Sequence, residues 1–203
     1  SWSDALFLVF KERSIYLVDT SQGVGSSAII RRLHNSIGCV SHRTIKQVGQ
    51  DVLFLSAEGV RSIDRTLQEG QQSITNPLSF PINDYFQRIN WSNIAANSCA
   101  IFWNNRYLLS VPLDSATFPD TTFVWHTINR SWSGYWTGWK NRIYCISAFA
   151  GTLRLNMGRH DGDVFKWLDY VPSTTEVSTD FEDNGVAIAS NIRTRAVMMN
   201  ESL

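Results

Sequence analysis

The sequence predicts an all-β fold of small antiparallel sheets, because a strand–turn–strand pattern recurs along it at an even spacing. The clearest three copies are centred on turns near Glu12, Glu58 and Asn104. Consecutive turns lie 46 residues apart, and the flanking segments have the apolar character of strands. A fixed period of this length indicates an array of antiparallel meanders, above all a β-propeller or an arc of one, with a β-sandwich as the alternative.

The first part of the chain consists of short strands joined by polar turns. Residues 5–19 predict a hairpin whose second strand, Ile15–Val18, is apolar on both faces, as in a sheet covered on both sides. Residues 20–38 start as a glycine-containing loop and include a strand or short helix at Ala28–Leu33. Residues 39–63 then predict a three-stranded meander.

A polar connection at residues 65–80 ends in Asn76-Pro77 and Phe80-Pro81 and precedes the best helix signal of the chain. We expect one short helix near residues 84–95, capped by Asn83 or Asp84. Its partial apolar stripe contains Phe86, Ile89 and Ile94.

The second part returns to hairpins. Asn104-Asn105 is a candidate type I′ turn within residues 99–112, and Asp161-Gly162 is the strongest hairpin turn of the chain. We predict a propeller-like domain over residues 1–171, with about four units and turns near residues 12, 58, 104 and 151–162. Residues 172–203 predict a loop and a closing strand, Ile188–Met199, that lead to a further domain of a longer protein.

Composition excludes several functional classes. The 203 residues include 18 Lys and Arg against 18 Asp and Glu, so no net field draws the chain to nucleic acid or to an anionic membrane. No apolar run reaches the length of a membrane span. Cys39, Cys99 and Cys145 lie among apolar residues without metal-site spacing, which predicts three reduced core thiols. No cofactor or metal is expected.

Acidic residues give no convincing catalytic site. His160-Asp161-Gly162-Asp163 could suggest a metal or acid–base cluster, but an Asp-Gly hairpin turn explains it better. Asp180, Glu182 and Asp183 are close in sequence on a polar loop, whereas a glycosidase needs two carboxylates that face each other across a cleft. The sequence therefore predicts no enzyme and no catalytic residue.

The densest chemical signal is aromatic and lies between residues 131 and 140. It comprises Trp132, Tyr135, Trp136 and Trp139. Strict strand alternation places Trp132 and Trp136 on one face and the other two rings on the opposite face, although Gly134 and Gly138 allow a bulge or bend. The preferred interpretation is packing between neighbouring sheets. The functional one is a stacking surface for a glycan or a partner protein.

Several stretches resemble a known class of proteins. They are Leu6–Leu17, Gly38–Val60, Asn105–Pro112 and Val124–Trp132. The chain resembles the β-propeller-containing tail structural proteins of tailed bacteriophages, in particular the nozzle or tail-tube proteins of short tails. The resemblance implies a virion structural protein, a homo-oligomeric ring through which DNA passes, and contacts with other tail or adaptor proteins. It implies assembly in the bacterial cytoplasm and a final location in the virion tail.

The first functional hypothesis is therefore a tail structural protein that recognises no specific nucleic acid and no membrane. The alternative, which rests on the tryptophan-rich stretch, is a carbohydrate-binding, lectin-like propeller module.

Overall fold

A computed structural model describes residues 5–23, 25–64, 76–149 and 151–166, and the short stretches 182–183 and 186–187. The chain divides into two units, residues 1–168 and residues 169–203. In the second unit, Glu182–Asp183 pairs antiparallel with Val186–Ala187. The predicted closing strand Ile188–Met199 lies outside the described residues.

Four small antiparallel sheets, numbered in chain order, form the first unit, and the all-β prediction is confirmed. Sheet 1 contains β1 (Leu6–Phe10), β2 (Ile15–Asp19) and β3 (Ile29–His34). Sheet 2 contains β4 (Lys46–Val48), β5 (Asp51–Ser56) and β6 (Gly59–Ser62). Sheet 3 contains β7 (Cys99–Trp103), β8 (Arg106–Val111), β9 (Thr121–His126) and β10 (Ser131–Thr137). Sheet 4 contains β11 (Asn141–Phe149), β12 (Thr152–Arg159) and β13 (Val164–Lys166).

Each of the evenly spaced turns joins two strands of one sheet, and each turn belongs to a different sheet. They lie between β1 and β2, β5 and β6, β7 and β8, and β11 and β12. Asn104 and Asn105 have φ of +45° and +58°, the pair of positive values that a type I′ turn requires. Asp161-Gly162 likewise connects β12 to β13, with Gly162 at φ +98°. Both turn predictions are confirmed.

The sheets pack face to face in chain order. The face of sheet 2 that contains Leu53 and Leu55 packs on the Leu109 face of sheet 3. The opposite face of sheet 2, with Phe54, packs on Ile15 of sheet 1. Alternating side chains allow this, because neighbouring residues of a strand point to opposite faces.

Sheet 3 also packs against a neighbouring sheet on each of its two faces. Leu108 and Val124 point away from sheet 2 and pack against Leu155 and Met157 of sheet 4. Sheets 2 and 3 are therefore each covered on both sides. A two-layered β-sandwich, in which each sheet has one solvent face, does not describe this packing.

The predicted single helix is two short ones, α1 (Asn83–Phe86) and α2 (Trp91–Asn97). The chain between them pairs with the segment after β8: Ile89 forms a bridge with Leu113, and the Asp114 N–H donates to the Arg88 carbonyl at 2.7 Å. This pairing uses backbone groups that a continuous helix would need. The predicted cap is also wrong, since Asn83 lies within α1.

Both α1 and α2 contribute to the core. Phe86 and Ile94 are buried against sheets 2 and 3. Neither these helices nor any other in the described stretches has the length and apolar character of a membrane span.

An exposed apolar row crosses the outer face of sheet 1. The register aligns Phe7, Val18 and Ile30 in one row across the three strands. Ile30 is 67% exposed and Phe7 is 40% exposed. The strand Ile15–Val18 is apolar on both faces, but the covering on both sides that this pattern indicated is wrong for the described residues, because only the inner face packs against another sheet.

Candidate functional site

A β-bulge in β10 determines where the predicted aromatic residues lie. Trp132 pairs with Trp125 of β9 and Tyr135 pairs with Phe123, with a register shift between them. Gly134, at φ +99°, accommodates the extra residue of β10. The bulge places Trp132 and Tyr135 on the same face, so the assignment from strict alternation is wrong, whereas the expectation of a bulge at Gly134 is confirmed.

Trp132 and Tyr135 belong to an aromatic cluster on the face of sheet 3 towards α1. We call it the Phe123 cluster, and its members are Tyr85, Phe86, Phe123, Trp125, Trp132 and Tyr135. Phe123 is fully buried at its centre, with its ring centroid 5.0 Å from that of Phe86. Tyr135 packs on Tyr85 at 4.7 Å and stays 42% exposed.

Trp136 and Trp139 lie on the opposite side of sheet 3. Their rings are 4.6 Å apart and pack against the apolar core between sheets 3 and 4. The four predicted aromatic residues are thus divided between two faces and do not form one surface. Three of them, Trp132, Trp136 and Trp139, are partly buried against core residues, as the packing interpretation expects.

An open cleft adjoins the outer edge of the Phe123 cluster. It has a volume of about 520 Å³ and lies between residues 76–82 and the β9–β10 hairpin. Trp125 and Trp132, with centroids 5.3 Å apart, line one side, and Pro77 and Phe80 line the other. Phe80 is 54% exposed. The volume is within the usual range for small-molecule sites.

A long-range hydrogen bond fixes one of the two indoles. Trp132 Nε1 donates to the Leu78 carbonyl at 2.8 Å. This bond attaches the segment that contains Pro77 to β10, and it satisfies the indole donor. The ring of Trp132 therefore has one orientation, and it lines the cleft without a free N–H.

Three exposed polar side chains surround the aromatic lining. They belong to Asn76, Arg130 and Ser131. Arg130 ends the turn between β9 and β10 at φ +48°, a left-handed conformation that residues other than Gly, Asn and Asp adopt infrequently. Among the described residues that line the cleft, Arg130 is the only charged one.

The sequence did not indicate this cleft. Of the predicted site residues only Trp132 lines it: Tyr135 is on the same face of sheet 3 but outside the lining, and Trp136 and Trp139 are on the opposite face. The available signal was the pair Asn76-Pro77 and Phe80-Pro81, since two prolines so close together stiffen a segment and hold an intervening aromatic side chain.

A cluster of hydrogen-bonded hydroxyl groups lies between sheets 3 and 4. Ser110 Oγ is 2.7 Å from Thr122 Oγ1 and 2.6 Å from Tyr144 Oη. Asn141 Nδ2 also approaches Tyr144 Oη, at 3.4 Å. Each hydroxyl has a hydrogen-bond partner, as buried polar groups require. The arrangement therefore joins two sheets. It lacks the combination of a nucleophile, a general base and a residue that orients the base, which a catalytic site of this kind needs.

Burial raises the pKa of the Cys99 thiol to about 12, and desolvation likewise raises that of Tyr144 to about 12. Both groups ionise at lower pH in the unfolded chain, with ordinary values of 9.0 and 10.0. Folding is therefore favoured by their neutral forms below pH 9, and this stabilisation is lost as the pH rises towards 12.

We expect the free energy of unfolding to fall between pH 9 and pH 11 by roughly 1 kcal/mol per pH unit from Cys99. Urea unfolding at a series of pH values measures the slope. Cys99→Ala should reduce it, and Cys145→Ala, at an exposed thiol, should not. Equal slopes in the wild type and in Cys99→Ala would contradict the assignment.

The cysteine prediction needs one correction. Cys99 is buried and Cys39 is partly buried, whereas Cys145 is exposed. Cys145 pairs with Asn156 of β12 and shares with it the outer face of sheet 4, opposite the face that packs on sheet 3. All three thiols are free.

The acidic motifs form no site in the described residues. Asp161 and Asp163 surround Arg159, with Asp161 Oδ2 at 2.9 Å from the guanidinium. His160 stacks on Phe118 at 4.6 Å. Across the described part of the chain, no group of three His, Cys, Asp or Glu residues could hold a metal. Asp180 and the side chains of Glu182 and Asp183 lie outside the described residues.

No protein-family model matches the sequence, and no curated protein matches it either.

Proposed function

We propose that the chain is a structural assembly module in which the four sheets are consecutive blades of a β-propeller. The observation that carries this proposal is the packing order: sheet 1 packs on sheet 2, sheet 2 on sheet 3, and sheet 3 on sheet 4. Neighbouring blades of a propeller have this relation, and the 46-residue spacing of the turns is within the usual length of a blade.

The exposed face of sheet 1 is the proposed contact surface, and a second copy of the chain is the proposed occupant. The face has the same alternation of apolar residues that packs one sheet on the next inside the chain. At the other end of the series, Ile143 and Val164 lie on the outer face of sheet 4 and are 60% and 73% exposed. Sheet 4 of one copy can therefore continue the series at sheet 1 of the next.

Such a contact joins two different surfaces and so repeats from copy to copy. A repeated head-to-tail contact forms a ring when the rotation closes. Together with the resemblance of Leu6–Leu17 and Gly38–Val60, this supports a more specific proposal: a virion structural protein of a bacteriophage tail, in a ring or nozzle through which DNA passes. The balanced charge of the chain suits a passage that does not retain DNA.

Replacing Ile30 with lysine tests the assembly surface. We expect wild-type protein to form a species larger than one chain, and Ile30→Lys to shift it to the monomer, because a charge buried in an apolar contact is costly. Mass photometry and sedimentation velocity measure the shift. Ile128→Lys is the matched control, since Ile128 is 68% exposed in the turn after β9 and Ile30 is 67% exposed in sheet 1.

A wild-type protein that stays monomeric at high concentration would contradict the ring. If both lysine variants dissociated the oligomer equally, the contact surface would lie elsewhere. The tail assignment has its own test: antibodies against the chain should label the tail in electron micrographs of the virion that contains it, and absence from purified virions would exclude it.

Carbohydrate binding is the second candidate function, and the cleft beside Trp125 and Trp132 favours it. Sugar-binding sites commonly combine exposed aromatic faces with a few polar groups, and this cleft has both. A glycan array tests it, with Trp125→Leu as the variant that removes the stacking face and keeps apolar bulk.

A further inference from the structure

We propose that the cleft between residues 76–82 and the β9–β10 hairpin binds an acidic sugar, with Arg130 as the partner of its carboxylate. The inference rests on the second candidate function, carbohydrate binding, and names both the subsite and the class of sugar. It does not depend on the proposed ring.

The aromatic lining determines which part of a ligand is recognised. Trp125 and Trp132 present ring surface to the cleft, and Phe80 lies on the facing side. The indole N–H of Trp132 is occupied by the Leu78 carbonyl. Grooves that bind proline-rich peptides depend on aromatic ridges that also donate to peptide carbonyls. A fixed indole without its donor is better suited to stacking on the C–H face of a pyranose.

The charge in the cleft determines which charge the ligand should have. Arg130 contributes the only charged side chain among the described lining residues, and Asn76 and Ser131 add neutral hydrogen-bonding groups. A guanidinium forms paired hydrogen bonds with a carboxylate, and these are stronger than bonds between neutral groups. A ring with one flat apolar face and one carboxylate, such as a hexuronate or a sialate, matches this arrangement.

The backbone of Arg130 supports a specific role for the residue. Its φ of +48° lies in the left-handed region, and a glycine or asparagine at this position would fit with less strain. The conformation places Arg130 at the end of the turn, directly before the two residues of β10 that line the cleft. Backbone positions of this kind cluster at active sites and ligand-binding segments.

Calorimetry with a galacturonate trimer and its methyl ester tests the proposal, since the two oligosaccharides differ chiefly in the carboxylate charge. We expect the acid to bind at least about tenfold more tightly than the ester, the ratio that charged hydrogen bonds produce. Arg130→Gln should remove that preference and leave weak binding of the ester. Arg13→Gln, at an exposed arginine in the turn after β1, is the charge-matched control and should change neither affinity.

The outcomes distinguish the acidic-sugar inference from the proposed carbohydrate binding. Equal binding of the acid and the ester would overturn the acidic-sugar inference and leave carbohydrate binding intact. No binding of galacturonate, glucuronate or sialyl-lactose probes, with no glycan bound on an array, would overturn both. Stronger binding of a proline-rich peptide in the same cleft would also overturn the inference. Because Arg130 is exposed, its variant should fold, and thermal unfolding verifies this.

Discussion

Replacing Phe123 with alanine should destabilise the protein by about 3–5 kcal/mol, the range for a fully buried aromatic side chain. Phe123 is 0% exposed and its ring contacts those of Tyr85, Phe86 and Trp132. The loss combines the burial of the ring with the cavity that remains, because neighbours on a sheet can move only partly into the space. Small domains have about 5–15 kcal/mol in total, so the change removes a large part of the stability.

Urea unfolding followed by circular dichroism measures the effect as a lower midpoint. Phe80→Ala is the control, because Phe80 is 54% exposed and should cost less than about 1 kcal/mol. A loss at Phe123 no greater than that at Phe80 would mean that the Phe123 cluster is not part of the core. If Phe123→Ala has the expected large effect, Trp132 should also lose a packing contact in this variant, and the cleft should be less ordered.

Local chemistry explains which parts of the fold were predictable. The turns at Asn104-Asn105 and Asp161-Gly162 depend on backbone conformations that few residues adopt, so their sequence alone identifies them. The evenly spaced hairpins that the sequence predicts are also present in the structure, because each turn joins strands of one sheet. These features need no information about distant parts of the chain.

Long-range pairing explains the helix error. An apolar stripe around Phe86, Ile89 and Ile94 suggested one helix, but residues 88–90 bond instead to residues 112–114, more than twenty positions away. Tertiary pairing outweighs helix propensity over so short a segment. The sequence contains the stripe and gives no sign of the partner strand.

The candidate site depended even more on distant contacts. Gly134 suggested a bulge, but only the register of β10 against β9 shows that it brings Trp132 and Tyr135 to one face. The cleft needs the bond between Trp132 and Leu78, which are 54 positions apart. Of the four aromatic residues that form the candidate stacking surface in the sequence, only Trp132 lines the cleft, and Trp125 and Arg130 are outside that set.

Replacing Gly38 with alanine should cost about 3 kcal/mol or more, since overpacking against a rigid neighbour has a large penalty. A Cβ at this position would overlap the Lys11 carbonyl oxygen and lie 2.6 Å from Glu12 C and 2.7 Å from Arg13 N. All three atoms are backbone, so no side chain can rotate away. Next to Gly38, the Cys39 N–H donates to the Lys11 carbonyl at 2.9 Å, and the clash would disturb that bond too.

Because Gly38 lies in the segment between sheets 1 and 2, its replacement should also affect the interface between these two sheets. Cys39 bonds to the β1–β2 turn of sheet 1, and the Val40 N–H donates to the Leu55 carbonyl of sheet 2 at 3.0 Å. The segment thus holds sheet 1 against sheet 2, and its displacement should weaken the interface that contains Ile15 and Phe54. Hydrogen exchange should therefore show faster exchange in β1 and β2 than in sheet 3.

Gly158→Ala is the matched control, because the Cβ there would meet only the end of a side chain, Ile143 Cγ2, at 2.7 Å. Ile143 is 60% exposed and can rotate, so we expect a change within about 1 kcal/mol in either direction. If Gly38→Ala were as mild as Gly158→Ala, the β1–β2 turn would not be in contact with Gly38. The described packing between sheets 1 and 2 would then be wrong. If exchange rose equally in sheets 1 and 3, the four sheets would unfold as one unit, and the effect of Gly38 would not be specific to the interface between sheets 1 and 2.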